Sequence, residues 1–278
     1  MERTELASCL GAVRERAPLV QCITNFVTVN DCANILLAAG ASPTMAHDIR
    51  EVEEAVAGVQ ALVLNLGAIG DVEAMLLAGK RANQLGIPVV LDPVAAGVTS
   101  LRREACRRLL AELRFTVIRG NASEIRALAL GAEGGSGVDV SAGDAVTEEN
   151  LSRGVELCRR LAKSTGAVTA LSGQVDILSD GTQTVLIRGG VPTMSRVTGA
   201  GCMLTALRGA FCGANPERPL AAAAAAVAAV DLAGERAEER RVRYGTGNAT
   251  FRTDLIDAVF NLTEDELREG VRYEIYQG

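Results

Sequence analysis

The chain is poor in several residues on which common chemistries depend. Across 278 residues there is one histidine, His47, so neither a metalloprotease HExxH pair nor a Ser–His–Asp triad can be assembled. Lysine occurs twice, as Lys80 and Lys163, and nearly all positive charge is arginine. The sole Gly-Lys step, Gly79-Lys80, runs on into Arg81 rather than Ser or Thr, which excludes a Walker phosphate loop. Cys9, Cys22, Cys32, Cys106, Cys158, Cys202 and Cys212 make no CxxC pair, and most have apolar neighbours. They read as reduced core thiols in a reducing compartment. A positive charge balance is missing too. The formal net charge of −6 argues against a general nucleic-acid binder, while leaving room for a nucleotide held by a local field. No apolar run is long enough to cross a bilayer: the longest, 220–230, is mostly alanine and reads as a tightly packed helix. The opening Met1-Glu2-Arg3-Thr4-Glu5 lacks the apolar core of a signal peptide, so no membrane partner and a cytoplasmic location are expected.

What the chain does contain is ordinary globular composition, 48% hydrophobic and 22% charged, with ample length for a buried core. Strand-like and helix-like segments alternate from end to end, the pattern of an α/β fold with a mostly parallel central sheet. Strands are expected at 19–23, 61–65, 88–91, 116–118, 167–171, 176–178 and 184–187, rich in Val, Ile and Leu as strands covered on both faces should be. Amphipathic helices are expected at 71–85, 101–113 and 148–163. Gly40, Gly86 and Gly166 fall where helices would end, and Ser179-Asp180-Gly181 marks a hairpin turn. The Gly/Ser/Asp-rich stretch 131–147 breaks the periodicity, but alternation resumes after it. The chain therefore reads as a single domain, 1–278, with an internal loop.

The most informative stretch is Val197-Thr198-Gly199-Ala200-Gly201-Cys202, followed at once by an apolar helical run. Glycines at a helix entrance let a ligand approach the backbone closely, and unpaired first-turn N–H groups with the helix dipole attract an anion, usually phosphate. Cys202 would sit on that first turn, where a thiol is expected to be acidified. Position 204 is Leu where a dinucleotide fingerprint needs a third glycine. A phosphate cradle beside an ionisable side chain points to phosphoryl transfer; a glycine-rich cap with a small buried cysteine is the plain alternative.

In open α/β sheets ligands lie beyond the carboxyl ends of the strands, so the polar residues there are the candidates. Asn25 follows the first strand and could bond a polar ligand or simply cap the next helix. Asp92, before Pro93 and a small-residue loop, suits Mg²⁺ or a turn cap. Arg119-Gly120-Asn121-Ala122-Ser123-Glu124 brings a guanidinium that can grip polyphosphate and a carboxylate that can hold a metal-bound water, or else cap a helix. Ser172-Gly173 offers a hydroxyl and a close-approach glycine, or an ordinary tight turn. Met45 suits an apolar ring pocket, whereas His47 beside a helix start reads as structural.

Taken in order, Val20-Gln21-Cys22-Ile23-Thr24-Asn25, Gly40 through His47, Leu91-Asp92-Pro93-Val94, Ile118 through Ile125 and Val197 through Cys202 resemble the hydroxyethylthiazole kinase family of the ribokinase-like superfamily. The likeness runs from about 18 to 260. It implies a ribokinase-like three-layer fold and ATP-dependent phosphorylation of 4-methyl-5-(2-hydroxyethyl)thiazole with Mg²⁺, in thiamine synthesis or salvage. It also implies a homotrimer with active sites at subunit interfaces. By the family pattern Met45 and Gly199 would contact the thiazole with Asn25 nearby, and Arg119 and Ser172 would contact ATP. Asp92 and Glu124 would serve the metal–phosphate region, and Cys202 would stand where most ribokinase-like enzymes carry a catalytic Asp. Three positions depart from the pattern: Gln21 where His is frequent, Ala95 where Gly is usual and Ser172 where Thr is usual.

Phosphoryl transfer asks mainly for positioning and charge neutralisation, which lets a cysteine occupy the base position. The N–H groups of 199–202 would hold the transferring phosphoryl while Cys202 orients the substrate hydroxyl. Hydroxymethylpyrimidine phosphate kinase shares a Gly-x-Gly-Cys type loop, but the Gln21–Asn25 and Ser42–His47 motifs favour the thiazole enzyme. An ATP-using NAD(P)H-hydrate dehydratase would be expected to keep Asp at 202. A non-catalytic nucleotide-binding regulator would have no use for Asp92, Arg119 and Glu124 together.

Overall fold

The computed structural model describes residues 1–130 and 146–278, so most of the expected loop at 131–147 lies outside the described residues. Helix α1 (Arg3–Arg16) leads into strand β1 (Leu19–Ile23), then α2 (Val29–Ala39), β2 (Ser42–Thr44), α3 (Val52–Val56) and β3 (Ala61–Asn65). Next come α4 (Val72–Leu85), β4 (Val89–Asp92), α5 (Ser100–Glu112), β5 (Val117–Asn121) and α6 (Ala122–Leu130). After residue 145 follow α7 (Leu151–Thr165), β6 (Val168–Ser172), β7 (Val175–Ser179), β8 (Thr184–Arg188), α8 (Ala200–Ala214), α9 (Pro219–Tyr244), α10 (Asn248–Asn261), α11 (Glu264–Gly270) and β9 (Tyr273–Ile275).

Among the described residues these strands form one sheet in the order β2-β1-β3-β4-β5-β6-β7-β8-β9. Pairing is parallel from β2 through β6 and antiparallel from β6 through β9. Successive side chains of a strand point to opposite faces, and here both faces are apolar. Val20, Cys22, Ala61, Val63, Val90, Val117 and Val168 meet α1, α2, α8, α9 and α10 in one core. Leu62, Leu64, Val89, Leu91, Ile118 and Leu171 meet α3, α4, α5 and α7 in a second. Two buried faces make three layers, as the unbroken Val/Ile/Leu runs require.

Gly40, Gly86 and Gly166 do end α2, α4 and α7 in the left-handed conformation, and β7 and β8 form the expected hairpin. The alanine run lies in the buried half of α9. Three differences matter. Edge strands β2 and β9, three residues each, carry too little pattern to be read. The helix expected from 148 begins as a 3₁₀ turn over Glu148–Asn150. Strands expected to stop at 91, 118 and 171 run on to Asp92, Asn121 and Ser172. That last difference places polar residues in the ladder itself.

Candidate active site

Four neighbouring parallel strands end in polar residues: β3 in Asn65, β4 in Asp92, β5 in Asn121 and β6 in Ser172. Asn65 pairs with Asp92 across the ladder and Asn121 with Ser172, while the β4–β5 register (Leu91 opposite Ile118) sets Asp92 level with Arg119, so the β5–β6 ends stand two residues further out. Helix α8 aims its N-terminus at this row and packs its side against β1, β3 and β4. Its entrance explains both glycines. Gly199 has φ +87°, and a Cβ there would come 2.5 Å from Thr28 Cγ2. At Gly201 a Cβ would lie 2.6 Å from Arg119 Nη1. Among the described residues no side-chain hydrogen bond caps α8. Ala200 N–H donates to the Val197 carbonyl at 3.3 Å; the N–H groups of Gly201 and Cys202, with the positive dipole end, are left toward the site.

Cys202 is the third residue of α8 and partly buried, whereas the other six cysteines are buried. Burial pushes the thiols of Cys9, Cys32, Cys106 and Cys212 up to about 11 or 12, as inert core thiols should be. The Cys202 sulfur accepts from Asn65 Nδ2 at 3.3 Å and Asn25 Nδ2 at 3.5 Å. Asp92, 1% exposed, accepts at Oδ2 from Asn65 Nδ2 (3.1 Å) and from Thr205 Oγ1 (2.8 Å). Arg119 Nη1 stands 3.6 Å from the same oxygen. Asp92 Oδ1 is buried with no partner among the described residues. Burial pushes the Asp92 carboxyl up to about 6, against the pull of Arg119.

Arg119 also donates from Nε to Ser172 Oγ at 3.2 Å, so the guanidinium spans β5, β6 and the start of α8. Glu124 accepts from Ala95 N–H at Oε1 (2.9 Å) and from Asn121 N–H at Oε2 (2.8 Å), and Asn121 Oδ1 accepts from Glu124 N–H (2.9 Å). It therefore caps α6 while ordering the loop after Asp92, and each carboxylate oxygen keeps a further lone pair. Ala95 adopts φ +56°, the strained conformation a glycine would hold freely. Asn25 likewise has a capping part, its Oδ1 accepting from Thr28 N–H at 3.1 Å.

Met45 lies just beyond β2 and packs, like Cys202, against the core that α8 shares. Gln21 is buried and donates from Nε2 to the Ala46 carbonyl at 2.8 Å, holding the Met45 segment against β1. His47 is exposed; its Nδ1 meets the Met45 carbonyl at 3.0 Å and reaches none of the Asp92–Cys202 group.

Asn65, Thr205, Arg208 and Asp176 were not singled out from the sequence. Asn65 sits inside its strand rather than in the loop beyond, although the same strand-end rule covers it. Thr205 and Arg208 follow Cys202 at three-residue steps along α8, and an arginine within an apolar helix is itself a signal. Arg208 is fully buried beneath the site; burial and Arg119 pull it down to about 9, so it stays cationic at neutral pH. Burial pushes Asp176 up to about 6, against the pull of Arg208.

An uncapped helix N-terminus, an arginine fork and a buried carboxylate around one sulfur make an arrangement chemically able to hold and move a phosphoryl group. Comparison with solved structures bears on the fold. The pyridoxal kinase of Staphylococcus aureus, solved with ADP, superposes with a TM-score of 0.56 at 19% identity, covering 78% of this chain and 87% of that one. The fold is ribokinase-like. A model of the hydroxyethylthiazole kinase family matches residues 10–265. The hydroxyethylthiazole kinase of Clostridium acetobutylicum is 47% identical over 96% of this chain and 98% of its own. That of Desulfovibrio desulfuricans is 46% identical over 98% of each. The solved hydroxyethylthiazole kinase of Pyrococcus horikoshii is 35% identical with a TM-score of 0.84, covering 98% of this chain and 99% of that one. The chain belongs to the hydroxyethylthiazole kinase family.

Proposed function

We propose that this enzyme transfers the γ-phosphoryl of ATP to the hydroxyl of 4-methyl-5-(2-hydroxyethyl)thiazole, giving the thiazole phosphate used in thiamine synthesis. The observation that carries the site assignment is the sulfur of Cys202 at the uncapped start of α8, tied through one amide to buried Asp92 beside Arg119. Met45 and Gly199 would border the thiazole ring, with Asn25 alongside. Arg119 and Ser172, already joined, would bind the polyphosphate, and the N–H groups of α8 would hold the transferring phosphoryl. Cys202 would orient the substrate hydroxyl and accept its hydrogen bond.

Mg²⁺ fits this donor set. Asp92 Oδ1 is buried without a partner among the described residues, and hard carboxylate oxygens suit the ion. No cluster of three or more His, Cys, Asp or Glu side chains among the described residues forms a closed metal site. That agrees with an ion held by one or two carboxylates plus substrate phosphates. Asp92 would hold it directly and Glu124 through water; bound, the ion would neutralise charge on the polyphosphate.

The chain would form a single kinase domain, 1–278, acting in the cytoplasm; among the described residues no helix is long and apolar enough to cross a membrane. Phe26 (89% exposed) and Val27 stand in solvent next to Asn25, an apolar edge of the site that a neighbouring subunit of the homotrimer would cover. Incubation with Mg²⁺-ATP and the thiazole alcohol, followed by phosphorus NMR, tests the reading. A new phosphate monoester and stoichiometric ADP are expected, and ADP without the ester would refute it.

A further inference from the structure

Asn65 touches both the sulfur and the carboxylate of the site, and its orientation is fixed from behind. Its Oδ1 accepts from the Gly67 backbone N–H at 2.8 Å, which a side-chain amide nitrogen could not do. Its Nδ2 is therefore turned into the site, donating to Asp92 Oδ2 at 3.1 Å and to Cys202 Sγ at 3.3 Å. The Thr28 N–H fixes Asn25 in the same manner, leaving its Nδ2 against the same sulfur and 3.5 Å from Asn65 Oδ1. Gly67 makes room for both amides: a Cβ there would stand 2.7 Å from Asn65 Oδ1 and 2.8 Å from Asn25 Nδ2. Asn65 is itself 1% exposed and ends β3, so its reach comes from the sheet rather than from a loop.

From this geometry we infer that Asn65 is a positioning residue for phosphoryl transfer, holding the Cys202 sulfur as a hydrogen-bond acceptor toward the substrate hydroxyl, with Gly67 as its steric support. The inference rests on the kinase reading above. Two amide N–H groups donating to one sulfur hold it through its lone pairs and fix which face of it stays open to the substrate hydroxyl. Because Asn65 Nδ2 is shared with Asp92, the sulfur is also kept in register with the carboxylate. A displacement of about 1 Å at such a point costs on the order of 10²-fold in rate.

The test compares Asn65→Ala and Asn65→Ser in the wild-type and Cys202→Ala backgrounds, with Gly67→Ala as a variant that displaces the amide without removing it. Circular dichroism melts select the folded variants. With the thiazole alcohol and Mg²⁺-ATP, kcat should fall about 10²-fold while both KM values stay within about twofold. In the Cys202→Ala background the same change should cost less than about fivefold, because the sulfur it positions is gone. Iodoacetamide labelling of Cys202, compared at pH 7 and pH 10, gives a readout independent of turnover. The pH 7 to pH 10 rate ratio should fall several-fold in the Asn65 variants. Equal losses in both backgrounds, a raised KM for ATP with unchanged kcat, or an unchanged labelling ratio would each overturn the inference. Absence of thiazole turnover in the wild type would instead strike at the kinase reading, and the labelling ratio would still judge Asn65.

Discussion

At the scale of single residues, the site depends on what an acceptor must do at position 202. A loose transition state needs the substrate hydroxyl aimed more than it needs a strong base. A carboxylate accepts at least as well at neutral pH, so Cys202→Asp should keep or raise kcat, whereas Cys202→Ala should lose about 10²–10³-fold. Steady-state rates on folded protein decide this, and complete loss in Cys202→Asp would contradict the role. Asp92 sets the pH response. Its carboxyl is pushed by burial from 3.8 to about 6, and the ionised form is the one that pairs with Arg119 and suits a cation. In the free enzyme kcat/KM for Mg²⁺-ATP should therefore decline as pH falls through about 6. Stability moves the other way: between 3.8 and about 6 the folded protein holds a proton that the unfolded chain has released. The contribution of Asp92 to stability thus drops as pH rises across that window. An acid limb that does not move in Asp92→Asn would count against the assignment.

At the scale of elements, the site exists because four neighbouring parallel strands carry polar residues at their carboxyl ends and one helix points at them. The strand interiors were legible: 19–23 and 61–65 coincide with β1 and β3, since a run of Val, Leu and Ile covered on both faces has few other readings. Their ends were less so. Asp92, Asn121 and Ser172 look like loop residues by composition, yet their backbones stay in the ladder because neighbouring strands supply partners that no local pattern reveals. Asn65 was overlooked for the opposite reason: 61–65 already reads as strand, and candidates were sought in the loops beyond the strands. Of the candidate site, the α8 entrance and Asp92, Arg119 and Glu124 stand out in the sequence as candidates, whereas the cap that Glu124 forms with Asn121 and Ala95 needed coordinates. The alanine run in α9 allows a test at this scale. Ala224 is fully buried where α9 packs between α8, α10 and the sheet. Ala224→Leu should overpack that contact by about 2 kcal/mol and lower Tm by about 5 °C, with turnover per folded molecule unchanged. A melt without a shift would mean that the layer yields.

At the scale of the whole molecule, the proposed phosphate site at α8 is one that many substrates could share, so the choice of alcohol would lie in what borders that helix. Met45 arrives there from edge strand β2, which is three residues long and leans on β1 through Leu19 to Gln21. Such a short edge gains from a neighbour, and exposed Phe26 and Val27 offer one an apolar surface. Sedimentation should find three times the monomer mass, and a monomer at micromolar concentration would contradict the trimer. The most direct test of the central claim is ADP release with Mg²⁺-ATP, running hydroxyethylthiazole, hydroxymethylpyrimidine and hydroxymethylpyrimidine phosphate in parallel. Turnover with the thiazole alcohol alone is the predicted result. Turnover with a pyrimidine alone, or with none of the three, would contradict it.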